Sequence, residues 1–164
     1  MPSSLALEAL HHITLPVSDL QRAEAFYVGL LGATLVRRVD RETFLRHLPA
    51  RAAEVDAANS PLHLSIKLGD GPEVQLFLQR DYTGRRPTPH PHLAVYVDAD
   101  QLDAFALRLA RAGVPCDGPR RLGPPGQASL YFADPWGQLL ELVTTDYQGE
   151  TLSGPPDPSR LAHP

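Results

Sequence analysis

Residues 11–36 (HHITLPVSDLQRAEAFYVGLLGATLV) and 91–116 (PHLAVYVDADQLDAFALRLARAGVPC) follow one plan. Each runs from a histidine through an alternating apolar segment, a short turn, an amphipathic stretch and a glycine, then back toward extended structure. Such self-similarity constrains the fold strongly, because it requires two copies of one supersecondary unit. Leu20, Ala23, Tyr27 and Leu30 fall at i, i+3, i+7 and i+10, and Leu102, Phe105 and Leu109 at i, i+3 and i+7, so each helix carries one apolar stripe. Ser18 with Gln21 reads as a capping box, and Gly113 as a C-terminal cap.

The copies also end alike. Gly71-Pro-Glu-Val-Gln75-Leu-Phe-Leu parallels Gly137-Gln-Leu-Leu-Glu141-Leu-Val-Thr, with a glycine four residues before a polar residue inside a strand. The expected fold is α+β: two βαβββ modules forming a cupped mixed sheet, at residues 9–80 and 91–147. A Pro-rich linker at 81–90 joins them, and a Pro-rich tail at 148–164 reads as a poorly ordered, flexible terminus. His12 to Gln75 spans 63 steps and His92 to Glu141 only 49, so the first module carries the insertion, within 41–60. Its Ala/Arg/Glu content permits a short helix, and its place between strands suits a lid or a partner surface.

Charge and composition exclude several classes. Fifteen Lys and Arg against nineteen Asp and Glu leave a net charge of −4, which gives no basic face for a nucleic-acid partner. No apolar run approaches the roughly 20 residues of a membrane span. MPSSLALEALHH has neither a basic n-region nor a long apolar h-region, so the expectation is a soluble cytoplasmic protein with no membrane partner. With one cysteine, Cys116, neither a disulfide framework nor a Cys-rich zinc site is available, and any metal ligands are histidines and carboxylates.

Alternation along the strands sorts the side chains. Ile13, Leu15 and Val17 form an apolar row, leaving His12 and Thr14 on the other side; Leu93, Val95 and Val97 leave His92, Ala94 and Tyr96. Leu64, Ile66 and Leu68 leave His63, Ser65 and Lys67; Val74, Leu76 and Leu78 leave Gln75; Leu130 and Phe132 leave Ser129 and Tyr131; Leu140 and Leu142 leave Glu141. The polar positions therefore share the sheet face that no helix covers, a surface that can line a cup for a small molecule. His12, His92 and Glu141 on such a face form a two-imidazole, one-carboxylate triad, suited to one divalent ion, Fe2+, Mn2+, Ni2+ or Zn2+, with coordination positions left open.

His12-Ile-Thr-Leu, Ala25-Phe-Tyr-Val-Gly-Leu-Leu-Gly32, Pro91-His92-Leu-Ala-Val95 and Tyr131-Phe-Ala-Asp-Pro-Trp-Gly-Gln-Leu-Leu-Glu141 resemble the vicinal oxygen chelate superfamily over residues 9–146. That group includes glyoxalase I, extradiol ring-cleaving dioxygenases, fosfomycin-resistance thiol transferases, methylmalonyl-CoA epimerases and bleomycin-binding proteins. The resemblance implies His12, His92 and Glu141 as metal ligands, Tyr131 as a catalytic tyrosine near substrate, and Thr14 as a substrate contact. Gln75 stands where glyoxalase I has a glutamate that serves as ligand and base, and an amide cannot take a proton near neutral pH. The loop before Ser129 keeps Arg121 and Ser129 but has Pro125 and Gly126 where fosfomycin enzymes hold potassium with polar groups.

The candidate substrate-binding set is thus Thr14, His63, Gln75, Tyr96, Arg121 and Ser129. The resemblance further implies a small-molecule substrate with adjacent oxygens and a homodimer, the cup in some relatives being completed by modules from two chains. Among reactions the triad and tyrosine favour ring-cleaving dioxygenase, which also needs a shuttling histidine, a role open to His63 on the polar side of its strand although it does not match the motif of those enzymes. A glyoxalase, lyase or epimerase and a metal-free drug- or metabolite-binding protein are the alternatives.

Overall fold

The structure is a computed structural model that describes residues 9–163. It contains the two expected modules as two mixed sheets. The first has strands β1 (His12–Val17), β2 (Thr34–Val39), β3 (Asn59–Lys67) and β4 (Glu73–Gln79), in the order β1-β4-β3-β2. The second has β5 (His92–Tyr96), β6 (Cys116–Arg121), β7 (Ala128–Ala133) and β8 (Leu139–Thr144), in the matching order β5-β8-β7-β6, with a fifth strand, β9 (Leu152–Ser153), on its edge. In both modules the first and last strands pair in parallel, Thr14 opposite Gln75 and Ala94 opposite Glu141. The repeat read from the sequence is therefore also a repeat of register.

The first helix departs from the sequence reading in two ways. Asp19, not Ser18, is its N-cap, and its carboxylate accepts from the amides of Gln21 and Arg22. After α1 (Leu20–Glu24) the helix widens into a π-helical stretch, Ala25–Leu30, with Leu31 N–H reaching Phe26 O. The wider turn shifts the stripe and turns the adjacent Phe26 and Tyr27 both inward. The insertion is helical: α2 (Arg41–His47), a 3-10 turn and α3 (Ala52–Val55). Phe44 and Val55 bury against Leu62 and Leu78 of the first sheet, so this segment has its own small core. The matching helix of the second module, α4 (Ala99–Arg111), buries Leu102 and Leu109, with Phe105 packed alongside.

The main core joins the helix-facing rows of both sheets, including Leu64, Ile66, Leu130, Phe132, Leu140 and Leu142. Polar contacts tie the modules across it. Tyr27 donates its hydroxyl to Asp134 at 2.8 Å, and Trp136 donates its indole N–H to Ser18 at 2.8 Å. Burial holds the Asp134 carboxyl above its usual range, opposed by donors from Gln138, Tyr27 and Trp136. Trp136, which turn position alone makes a rim residue, is instead buried. Gly137 (φ +82°) belongs to this junction, because a Cβ there would collide with the carbonyl oxygen of Arg85 in the linker.

The tail overturns the expectation of a loose terminus for residues 148–163. β9 pairs with β6, Asp157 caps a 3-10 turn at Pro158–Arg160, and Leu161 is buried against Tyr131, Ala133 and Leu139. Among the described residues no helix is long and apolar enough to cross a membrane.

Candidate metal and substrate site

The open face of the second sheet holds the most developed polar constellation. His92 on β5 and Glu141 on the neighbouring β8 meet with His92 Nε2 3.0 Å from Glu141 Oε2. Neither is free to wander. His92 Nδ1 lies 2.8 Å from the carbonyl oxygen of Pro89, an atom that only accepts, so Nδ1 carries the proton and Nε2 is the nitrogen left to ligate. Glu141, 8% exposed, receives its other oxygen's partners from β7: Ser129 Oγ donates at 2.6 Å and the Tyr131 hydroxyl at 3.0 Å. Gln127 Nε2 in turn donates to Ser129 Oγ at 2.7 Å. Oε2 is therefore the oxygen presented beside His92, while Oε1 is saturated.

Burial, reinforced by the adjacent Glu141 carboxylate, pushes the Tyr131 phenol up to about 12. Tyr131 is consequently a neutral donor at physiological pH. Its ring also stands edge-on to His92, with centroids 6.3 Å apart.

The other residues of the expected set sort differently. Thr14 lines a cleft of about 340 Å³ between the β1 and β5 edges, together with His92. Ser129 is fully buried and supports Glu141 rather than offering a free hydroxyl to substrate. Arg121 is exposed, and it is Arg120 that faces Ser129 across the β6–β7 pair and ion-pairs with Asp117. The reason is the irregular register of β6 between Asp117 and Arg120, which simple alternation does not foresee. Tyr96 is 59% exposed at the strand's far end, with its hydroxyl 3.4 Å from Thr145 Oγ1. His63 stacks on Phe77 at 4.4 Å and contacts the carbonyl of Pro61 through Nδ1, on the first sheet and apart from the His92–Glu141 pair. Burial lowers its tendency to protonate.

His12 does not join His92 and Glu141 within the chain. Among the described residues no three His, Cys, Asp or Glu side chains converge on one metal position. His12 is exposed, with its Nδ1 2.8 Å from that of His11. The expected triad is therefore not assembled among the described residues, where His92 and Glu141 of the second module meet as a pair without His12. Its counterpart in the first module is His12 with Gln75, which occupy the same register positions on β1 and β4. The donor set fits a divalent ion in type, an imidazole nitrogen beside a carboxylate oxygen, but supplies fewer ligands than such an ion takes.

Sequence reasoning missed Gln127, the Pro89 carbonyl and Leu161. Gln127 lies two residues before Ser129, in the loop that leads into β7, a spacing that could have revealed it. His90, exposed in the linker, stacks on His92 with centroids 5.3 Å apart. Arg37 and Arg38 on β2 ion-pair with Glu73 and Glu24.

Comparison with known proteins gives a consistent picture. Residues 9–142 match the model of the Glyoxalase/Bleomycin resistance protein/Dioxygenase superfamily. A 2-epi-5-epi-valiolone epimerase from Actinomyces sp is 34% identical over 155 residues, covering 82% of this chain and 78% of that protein. Glutathione transferase FosA from Serratia marcescens is 29% identical over 136 residues, covering 83% and 80%. The crystal structure of the fosfomycin resistance protein FosX from Listeria monocytogenes aligns with a TM-score of 0.60 at 20% identity, over 94% of this chain and 99% of that one.

Proposed function

Because the chain belongs to the Glyoxalase/Bleomycin resistance protein/Dioxygenase superfamily, we propose that it is a divalent-metal-dependent enzyme of the epimerase kind, in which the hydrogen on the carbon beside a carbonyl leaves as a proton to solvent water and is replaced from it, in a small molecule with adjacent oxygens. The observation that carries this reading is the His92–Glu141 pair, with Nε2 and Oε2 3.0 Å apart and their remaining polar atoms occupied by protein partners. A bound divalent ion supplies Lewis-acid polarisation of the substrate carbonyl.

The chain's own groups have separable roles in this reading. His92 and Glu141 would hold the ion, oriented by Pro89, Ser129 and Tyr131. The neutral Tyr131 hydroxyl donates a hydrogen bond where negative charge develops on substrate oxygen. The pair would be completed by His12 of a second copy. His12 is exposed, as a group reserved for another chain must be.

Two observations favour epimerisation over ring cleavage. The relative at 34% identity is an epimerase. His63, which would have to shuttle protons in ring cleavage, is engaged with Pro61 and Phe77 on the other sheet. Two measurements test the reading: native mass spectrometry for bound metal and proton NMR in deuterium oxide on 2-hydroxy ketones. One metal per chain, lost in Glu141→Ala, with exchange of the α-hydrogen, is expected. Oxygen uptake with catechols and no exchange would overturn it.

A further inference from the structure

From the course of the C-terminal segment we infer that residues 152–163 form a strap across the open face of the second sheet, and that Leu161 sets the size of ligand the site accepts. The inference rests on the metal-site reading above. All six residues of β7 are buried, although a strand with one face open to a cup should alternate. What covers the open face at Tyr131 and Ala133 is Leu161, itself 1% exposed.

The strap is fastened along its length by specific polar contacts. At its start, the Arg120 guanidinium donates through Nη1 to the carbonyls of Ser153 at 2.9 Å and Gly154 at 3.2 Å, while its Nε pairs with Asp117 at 2.8 Å. The other Asp117 oxygen accepts the Asp157 amide at 3.0 Å, so one half-buried ion pair fixes two points of the strap. At its end, His163 Nε2 lies 2.8 Å from the carbonyl oxygen of Ala133, and its ring stands edge-on to Phe26. Between these fastenings Leu161 is pressed onto Tyr131 and Leu139.

Those two neighbours place Leu161 at the site. Tyr131 donates to Glu141, and Leu139 lies directly opposite His92 in register. A ligand chelated through adjacent oxygens beside His92 and Glu141, and extending over the Tyr131 ring, meets the Leu161 side chain next. An apolar wall of this kind discriminates by bulk, and one missing or extra methylene typically changes selectivity by about 10-fold or more.

The test compares acetohydroxamate with benzohydroxamate, bidentate ligands with the same chelating oxygens and different bulk, binding to the Mn2+-loaded protein as read by water-proton relaxation. Leu161→Ala should raise the affinity for benzohydroxamate relative to acetohydroxamate about tenfold, and Leu161→Met should restore the native ratio. In a second arm on metal-free protein carrying 3-fluorotyrosine, the Tyr131 fluorine resonance should gain a solvent-isotope shift in Leu161→Ala and in a chain ending at Gly149, but not in Leu161→Met. An unchanged ratio with native Mn2+ binding, or a Tyr131 resonance indifferent to the strap, overturns this inference alone. Failure of the native protein to bind Mn2+ overturns the metal-site reading and this inference with it.

Discussion

Ser129 Oγ and Glu141 Oε1 lie 2.6 Å apart across neighbouring strands, with no measurable solvent exposure at the serine. A buried hydroxyl that donates to a carboxylate aims the other oxygen of that carboxylate. Ser129→Ala is therefore expected to weaken Mn2+ binding by about 10- to 100-fold, the usual effect of losing a group that orients a ligand. Glu141→Gln should remove binding beyond the range of titration while leaving the circular dichroism spectrum unchanged. Isothermal titration with Mn2+ checks both.

Tyr131 supplies a prediction with a definite sign in pH. Its folded pKa lies near 12, above the ordinary value near 10, so the folded state holds the phenolic proton more tightly than the unfolded chain does. The associated stability is present below pH 10 and is lost as pH rises toward 12. Chemical denaturation across this window should show a fall in unfolding free energy that is smaller in Tyr131→Phe. The same substitution should lower the rate of α-hydrogen exchange at pH 7, where the native phenol is wholly protonated.

The junction between modules can be weakened without touching the site. Tyr27→Phe removes the only hydroxyl donor to Asp134 among the described contacts and leaves a buried carboxylate oxygen short of a partner. A loss of about 1–3 kcal/mol is expected, read as a lower midpoint in urea with Mn2+ affinity retained.

His63→Asn should leave Mn2+ affinity and α-hydrogen exchange within about 2-fold of native, the level expected for a residue outside the reacting groups. A large loss of turnover with metal binding intact would return His63 to the role of proton shuttle.

The parts of this molecule visible in the sequence were those governed by strict periodicity. Strand alternation put Thr14, Gln75, Ser129, Tyr131 and Glu141 on open sheet faces, and the repeat matched Gln75 with Glu141, a correspondence the register reproduces. Irregular features escaped. The bulge in β6 moved the anchored arginine from position 121 to 120, and the π-helical turn brought Phe26 and Tyr27 inward together. The strap escaped for a different reason. The prolines of GPPDPSRLAHP interrupt any strand or helix periodicity, so nothing local distinguishes a loose terminus from one fastened by Arg120 and Asp117, residues over thirty positions away. Alternation sets His12 on the side of β1 opposite the apolar row, but period-two reasoning carries no information on whether two modules of one chain, or of two chains, share a cup.

That last question is the most direct point of attack on the account. His12→Ala and Glu141→Gln chains, each expected to bind no Mn2+ alone, can be unfolded together, refolded as hybrid dimers and weighed by native mass spectrometry. If the site joins His12 of one copy to His92 and Glu141 of the other, each hybrid contains one wholly native site and should carry one Mn2+. Hybrids that form but carry no Mn2+ would contradict it.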